Sequence, residues 1–352
     1  MKKVSLYFVL FLSFISIKAQ VGGNTNFRFL DIPMTSRAAG VGGTNMSVWG
    51  DDINLVHSNP ALLNKYMHKQ IAGNYCNYVS NMNFGYLAHA RNFEKAGIFG
   101  ASFNFFNYGK FKGYDELGNE TRTFKANDYS LNLNYSIHLP EDTSFNLGIC
   151  VKTILSQYEA YTAFANAIDL GATYHTKKNF VISLVAKNVG KVWKEFTPTS
   201  PMELPSNVQL GISKKLSKAP IRLIFVYDNL LKWNMKYVSP IDTAGQSNPF
   251  DTNKEPEDST KFQKFSKRFG SNTDNFFRHM SFGTELSLSK NFMVMLGYNY
   301  RRQREFTLPE RRGANGLCFG FLVKVKKFQF TYSYNKMAFA GGSSILGLTY
   351  KL

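Results

Sequence analysis

Near its end the chain alternates with a period of two. Phe328, Phe330, Tyr332 and Tyr334 are interleaved with Gln329, Thr331, Ser333 and Asn335. After Gly341-Gly342, Leu346, Leu348, Tyr350 and Leu352 are interleaved with Gly347, Thr349 and Lys351. Successive side chains of a strand point to opposite faces, so a period of two places each face in a different environment. Here one face is aromatic and leucine-rich and the other is small and polar. The pattern recurs from about residue 71 onward, which predicts an all-β fold of many similar strands.

The first residues predict export. Met1-Lys2-Lys3 is a positive start, Val4 to Ile17 is apolar with serine breaks, and Ala19-Gln20 is a cleavage point, so residues 1–19 read as a signal peptide. An N-terminal anchor is the alternative reading, and no other segment approaches the ~18 consecutive apolar residues of a membrane helix. Losing Lys2, Lys3 and Lys18 with the signal takes the formal charge from +18 to +15. A basic surface could mean nucleic acid, but an exported protein rarely meets any, so anionic lipopolysaccharide or an acidic partner protein is the expected counterpart of that charge. Cys76, Cys150 and Cys318 form no disulfide framework. They read as small buried residues, with a single bridge between two of them as the alternative.

Mean hydropathy is −0.24 although aromatic residues make up 15% of the chain. Both values suit a barrel, in which only every second strand residue faces lipid and aromatic residues ring the interfaces. Fourteen alternating segments are legible: 70–79, 83–92, 96–107, 126–138, 144–156, 165–175, 179–188, 205–215, 220–230, 277–289, 291–302, 315–326, 327–337 and 343–352. With the first strand running outward, the inner connections near Glu94, Pro140, Lys177, Lys218, Lys290 and Lys326 are all short. The outer ones include long stretches at 108–125, 157–164, 189–204, 231–276 and 303–314. Short periplasmic turns and long outer loops mark a fourteen-stranded antiparallel outer-membrane β-barrel over 70–352. A soluble sandwich or propeller, the competing reading, does not predict that parity. A chain ending on a strand with an apolar residue, Leu352, also suits the barrel assembly machinery.

Residues 20–69 do not alternate. Gly40, Gly42, Gly43 and Gly50 lie in a small-residue stretch, followed by Asp51-Asp52 and Asn59-Pro60-Ala61-Leu62-Leu63. Asn-Pro marks a turn and Pro60 suits the first position of a short helix. Fourteen strands enclose a lumen wider than side chains fill, so this segment reads as a plug, or hatch.

These residues carry a resemblance. Arg37-Ala38-Ala39-Gly40-Val41-Gly42-Gly43, Asp51-Asp52 and Asn59-Pro60-Ala61-Leu62 resemble the N-terminal region of the long-chain fatty-acid transporter superfamily, fourteen-stranded barrels with an N-terminal hatch. Phe27-Arg28-Phe29-Leu30-Asp31-Ile32-Pro33 leading into Ser36-Arg37 resembles more narrowly its PorQ branch, from the type IX secretion system. The resemblance implies an outer-membrane member of the surface attachment complex. That complex holds the sortase-like protease PorU, the shuttle barrel PorV and the lipopolysaccharide-binding surface protein PorZ, which a PorQ-like barrel would anchor. The hatch residues it marks are Arg37, Gly40, Gly43, Asp51, Asp52, Asn59 and Pro60.

Chemistry is sparse. His57, His68, His89, His138, His175 and His279 are scattered, and neither metal-ligand spacing nor a Gly-x-Ser-x-Gly elbow occurs. No cofactor, metal site or enzyme activity is expected. Asp169, on a polar strand face beside Gly171, should pair with a luminal Lys or Arg. The outer loops are richer. The longest carries Trp233, Lys261, Lys264, Lys267 and Arg268, and its neighbour carries Arg301, Arg302, Arg304, Arg311 and Arg312. Arginine forks bind phosphate and carboxylate, so these loops read as a docking surface for a partner or for lipopolysaccharide phosphates, or as a basic rim. The alternative function is outer-membrane transport of a hydrophobic small molecule. That would need a kink near Gly97 or Gly100 to open the wall, and the mostly polar luminal faces disfavour it, with Met293, Met295 and Leu322 as exceptions.

Overall fold

A computed structural model describes residues 25–93, 96–139, 142–235, 272–305, 315–338 and 341–352. The signal peptide, Lys261, Lys264, Lys267, Arg268, Arg311 and Arg312 lie outside the described residues.

Fourteen antiparallel strands close into one barrel. They are β1 Gln70–Asn77, β2 Asn83–Phe93, β3 Gly97–Tyr114, β4 Glu120–Leu139, β5 Asp142–Tyr158, β6 Tyr161–His175 and β7 Phe180–Lys194. Then come β8 Asn207–Lys215, β9 Ile221–Tyr227, β10 Met280–Ser287, β11 Phe292–Asn299, β12 Leu317–Val325, β13 Phe328–Ala338 and β14 Gly341–Lys351. Each strand pairs with its sequence neighbour, and β1 pairs with β14 from Gln70↔Lys351 to Asn77↔Ser344. The first segment, around Ile71 and Tyr75, thus provides one side of the closing seam.

Alternation decides which face is which. Leu131, Leu133, Leu170, Leu296, Phe319 and Leu346 stand exposed on the outside, while Ser130, Asn132, Asp169, Met295, Gly320 and Ile345 turn inward. In water such an apolar outer surface would be a large exposed patch; in lipid it is the solvated face. Aromatic pairs such as Phe328–Tyr350 (4.8 Å) and Phe319–Tyr334 (5.3 Å) knit neighbouring strands on that face.

The wall is taller on one side. β3 to β7 are 15–20 residues long, whereas β8 to β14 are 7–11. A tilted strand crosses the bilayer in about 9–11 residues, so the excess projects beyond it on the outer side. Stretches 108–125 and 157–164, expected as loops, are therefore largely strand, and β7 runs on to Lys194 before the expected loop continues to 204. Above the membrane both faces meet water, so the apolar–polar contrast fades and the period-two signal fades with it. A bulge between Asn107 and Lys110 also shifts the register there. The break near Gly97 or Gly100 that the transport alternative would need does not occur in the β2–β3 ladder, which runs unbroken from Asn83↔Asn107 to Phe93↔Gly97.

Candidate functional site

Residues 25–69 fold inside the barrel as a chain of short turns, each begun by its own cap. Thr35, Asp52, Asn59 and Asn64 accept from the backbone N–H groups of Ala38, Asn54, Ala61 and Tyr66, opening the helix Ser36–Gly40 and the 3-10 turns Ile53–His57, Pro60–Leu62 and Lys65–Met67. These side chains satisfy N–H groups that would otherwise be orphaned in the lumen. The Asx residues and Pro60 of the motif are thus explained as turn initiators.

Two notches in the wall receive this hatch. Gly148 of β5 faces Gly171 of β6, and Gly283 of β10 faces Gly297 of β11. A Cβ at Gly148 would stand 2.2 Å from Ala61 N, one at Gly171 2.2 Å from Asn59 Oδ1, and one at Gly297 2.2 Å from Gly42 N. Only glycine lets the hatch backbone lie against the strands there.

A buried charge network fastens it. Arg37 donates from Nη1 to Asp52 Oδ2 (3.0 Å), from Nε to Glu285 Oε1 (3.0 Å) and from Nη2 to Glu285 Oε2 (3.3 Å). Arg222 Nη1 donates to Glu285 Oε2 (2.8 Å), and Gln329 Nε2 to Asp52 Oδ2 (3.0 Å). Two carboxylates thus meet two guanidinium groups inside the wall. Burial alone would pull the Arg37 group down, but Glu285 and Asp52 outweigh it and hold it above its usual range. Ser36 and Asn54 extend the network to Asn74, and Asn54 also reaches Thr349 (3.0 Å). Asp51, at the inner end, is exposed and pairs with Lys324 of β12 (3.3 Å).

The structure brings Arg37 and Asp52 together as the hatch lock, whereas Asn59 and Pro60 sit apart from it, against Gly148 and Gly171 of β5 and β6. Sequence reasoning missed the lock's wall partners Glu285, Arg222 and Gln329. Glu285 was legible as a lone acid on the luminal face of a strand, between Thr284 and Leu286. Gly40 packs against Met295 of β11, and Gly43, at φ 110°, lies beneath the Arg302 guanidinium. Asp169 pairs with Lys152 of β5 (2.7 Å), as expected of a luminal acid.

The outer arginines divide. The helix Tyr300–Glu305 turns Arg301 and Arg302 toward the lumen, where both line a cavity of about 110 Å³. Arg304 is half-exposed and pairs with Asp274 (2.8 Å). Trp233 is exposed and stacks with His279 (5.8 Å), whose ring nitrogens lie 2.7 and 3.0 Å from the carbonyl oxygens of Asp228 and Trp233. Cys76, Cys150 and Cys318 are buried and unpaired. Among the described residues no cluster of three His, Cys, Asp or Glu could hold a metal ion.

No family model matches the chain, and no curated protein matches it. Solved structures do resemble it. A TodX monoaromatic hydrocarbon channel carrying the deltaS2S3 mutation shares the fold at a TM-score of 0.55 and 12% identity, over 90% of this chain and 98% of that one. The deltaS2 mutant of TodX gives 0.55 and 12% over 91% and 98%. At this identity the likeness concerns the fold alone, a closed antiparallel barrel. Joined to the apolar outer face, it decides the compartment.

The chain is an outer-membrane β-barrel. Its inner connections are short and its lumen holds a hatch fixed to the wall by charge and by close backbone approach. What the outer-membrane barrel does turns on whether that hatch yields.

Proposed function

We propose that this barrel is a non-enzymatic anchor of a type IX attachment complex, holding a PorZ-like surface protein beside PorU and PorV for cargo processing and attachment to lipopolysaccharide. The observation that carries the reading is the fastening of the hatch. A transporter must let its plug shift, whereas Arg37, Asp52, Glu285 and Arg222 form a buried network in which removing one partner costs about 3–5 kcal/mol. A plugged, rigid barrel suits a holding role. The resemblance of the hatch motif suggests the partners, and the sequence of the longest outer segment, of mixed charge with Asp251, Glu255, Glu257 and Asp258 followed by Lys261, Lys264, Lys267 and Arg268, offers polar groups for them.

The test is affinity capture of the tagged barrel from gently solubilised outer membranes, read by mass spectrometry. The anchor reading expects a PorZ-like protein, with PorU and PorV. Recovery of the barrel alone sinks it.

One observation favours the transporter alternative. On the β2–β7 side the lumen is apolar, with Phe84, Phe106, Tyr86 and Ile154 buried. Phe27, Phe29 and Met34 of the hatch segment occupy this cluster. In the transporter reading a hydrophobic molecule would displace them, and lipid or fatty acid would co-purify with the barrel.

A further inference from the structure

The cavity beneath helix Tyr300–Glu305 differs from the rest of the lumen. It lies at the outer ends of β7 to β11, between the wall and the hatch, and Arg28, Asp31 and Gly43 form part of it. Six basic side chains line it against two acidic ones, Asp31 and Asp228. Both acids are engaged: Asp31 with Arg28 at 3.2 Å, Asp228 with Arg301 at 3.9 Å. Arg278 pairs with Asp274 at 2.9 Å, so among the described residues three cations are left over: the partly exposed Lys232, Lys187 and Arg302. Lys187 has no carboxylate within ion-pair distance among the described residues, and Arg302 Nη1 is buried without a hydrogen-bond partner there. Partly buried cations gathered without enough counter-charge are unfavourable, and the orphaned Arg302 Nη1 is a donor left for an acceptor, so the site suits an anion.

The wall is shaped to present Lys187. Ile168 pairs with Val189 and Leu170 with Ala186, so Lys187 and Asn188 stand opposite Asp169 alone. The bulge puts Asn188 at φ 56°, and its N–H donates to Asp169 Oδ1 at 2.7 Å. Lys152 closes the arrangement, 2.7 Å from Asp169 Oδ2 and 2.8 Å from Asn188 Oδ1. Bulges that are held in this way re-aim side chains at functional sites. On the other side Gly43 lets Arg302 lie on the hatch backbone: a Cβ there would stand 2.8 Å from Nη2. Gln209, 6% exposed, adds a buried polar side chain to the lining.

We propose that this vestibule binds a phosphate group, with Lys187 and Arg302 as its principal ligands. A lysine offers three N–H donors and an arginine a planar fork, and a tetrahedral anion accepts from both at once. The cavity has room for several waters or one compact anion. Its mainly polar lining gives a fatty-acid tail no continuous apolar path. The phosphate arrives either as a free ion or on a lipopolysaccharide headgroup. The site is distinct from the outer rim and does not depend on the anchor role.

The test is calorimetric titration of the full chain in neutral detergent with inorganic phosphate, repeated on Lys187→Gln, Arg302→Gln and, as a control, the exposed Lys110→Gln. Folding is checked by the heat-modifiable gel mobility of each variant. We expect saturable binding that weakens with added salt, a loss of about tenfold or more in K187Q and R302Q, and no change in K110Q. Displacement by lipid A dispersed in the same detergent would assign the lipid source. Phosphate binding that lipid A leaves intact would assign the free ion. No phosphate binding by the folded wild type, or equal binding by folded K187Q and R302Q, would overturn the proposal.

Discussion

Arg37 of the hatch grips Glu285 of β10 with two nitrogens, at 3.0 and 3.3 Å, although 248 residues separate them in sequence. Both side chains are nearly inaccessible, at 8% and 1% exposure. The pair joins the plug to the wall, and its removal should be felt at the hatch before the barrel.

Glu285→Ala leaves Arg37 and Arg222 facing each other without their shared carboxylate. The hatch should then loosen by about 3–5 kcal/mol, seen as new protease cleavage within residues 25–69 while the barrel keeps its gel mobility. The double variant Arg37→Met, Glu285→Met should be at least as sensitive to protease as either single truncation, because Asp52 and Arg222 then both lose their ion-pair partners.

Gly148→Val places a side chain where Ala61 N now stands 2.2 Å from the Cβ position. The 3-10 turn Pro60–Leu62 must move inward, and the seal beside β5 and β6 should leak. Planar-bilayer recordings are expected to show raised ion conductance over the wild type, with Gly73→Val, at a position with nothing within 4 Å, as the unchanged control.

His57, in the hatch, is held well below the ordinary histidine range by burial, reinforced by Lys187 and Lys152. Its folded pKa lies under its unfolded value, so the unfolded chain binds the proton first. Stability should therefore fall as pH drops below about 6.5, by at most about 1.4 kcal/mol per unit. Urea unfolding at pH 8 and pH 5 checks this, and His57→Gln should flatten the difference.

Cys76, Cys150 and Cys318 are buried without bridging. A maleimide should label none of them in the folded barrel and all three after denaturation, counted by mass spectrometry. Unchanged labelling after a reducing agent would follow from the same geometry.

The fourteen strands were legible because lipid on one side and a polar lumen on the other force a period of two. The signal failed where that contrast ends. Above the membrane, Lys110 and Lys112 continue β3 with water around them, so the stretch reads as loop. The hatch was legible as a non-alternating insert, and Asn59-Pro60 as a turn. Its lock was not, because Glu285 and Arg222 meet Arg37 only through barrel closure. Likewise nothing in the run Arg301-Arg302-Gln303-Arg304 shows that a helix turns the first two inward and leaves Arg304 at the surface.

The most direct measurement of the anchor role is the distribution of the PorZ-like surface protein in cells lacking this barrel. The account predicts that the protein leaves the cell surface for the medium, and that the wild-type barrel restores it. Surface retention unchanged without the barrel, together with lost uptake of a hydrophobic compound, would contradict the account and establish transport instead.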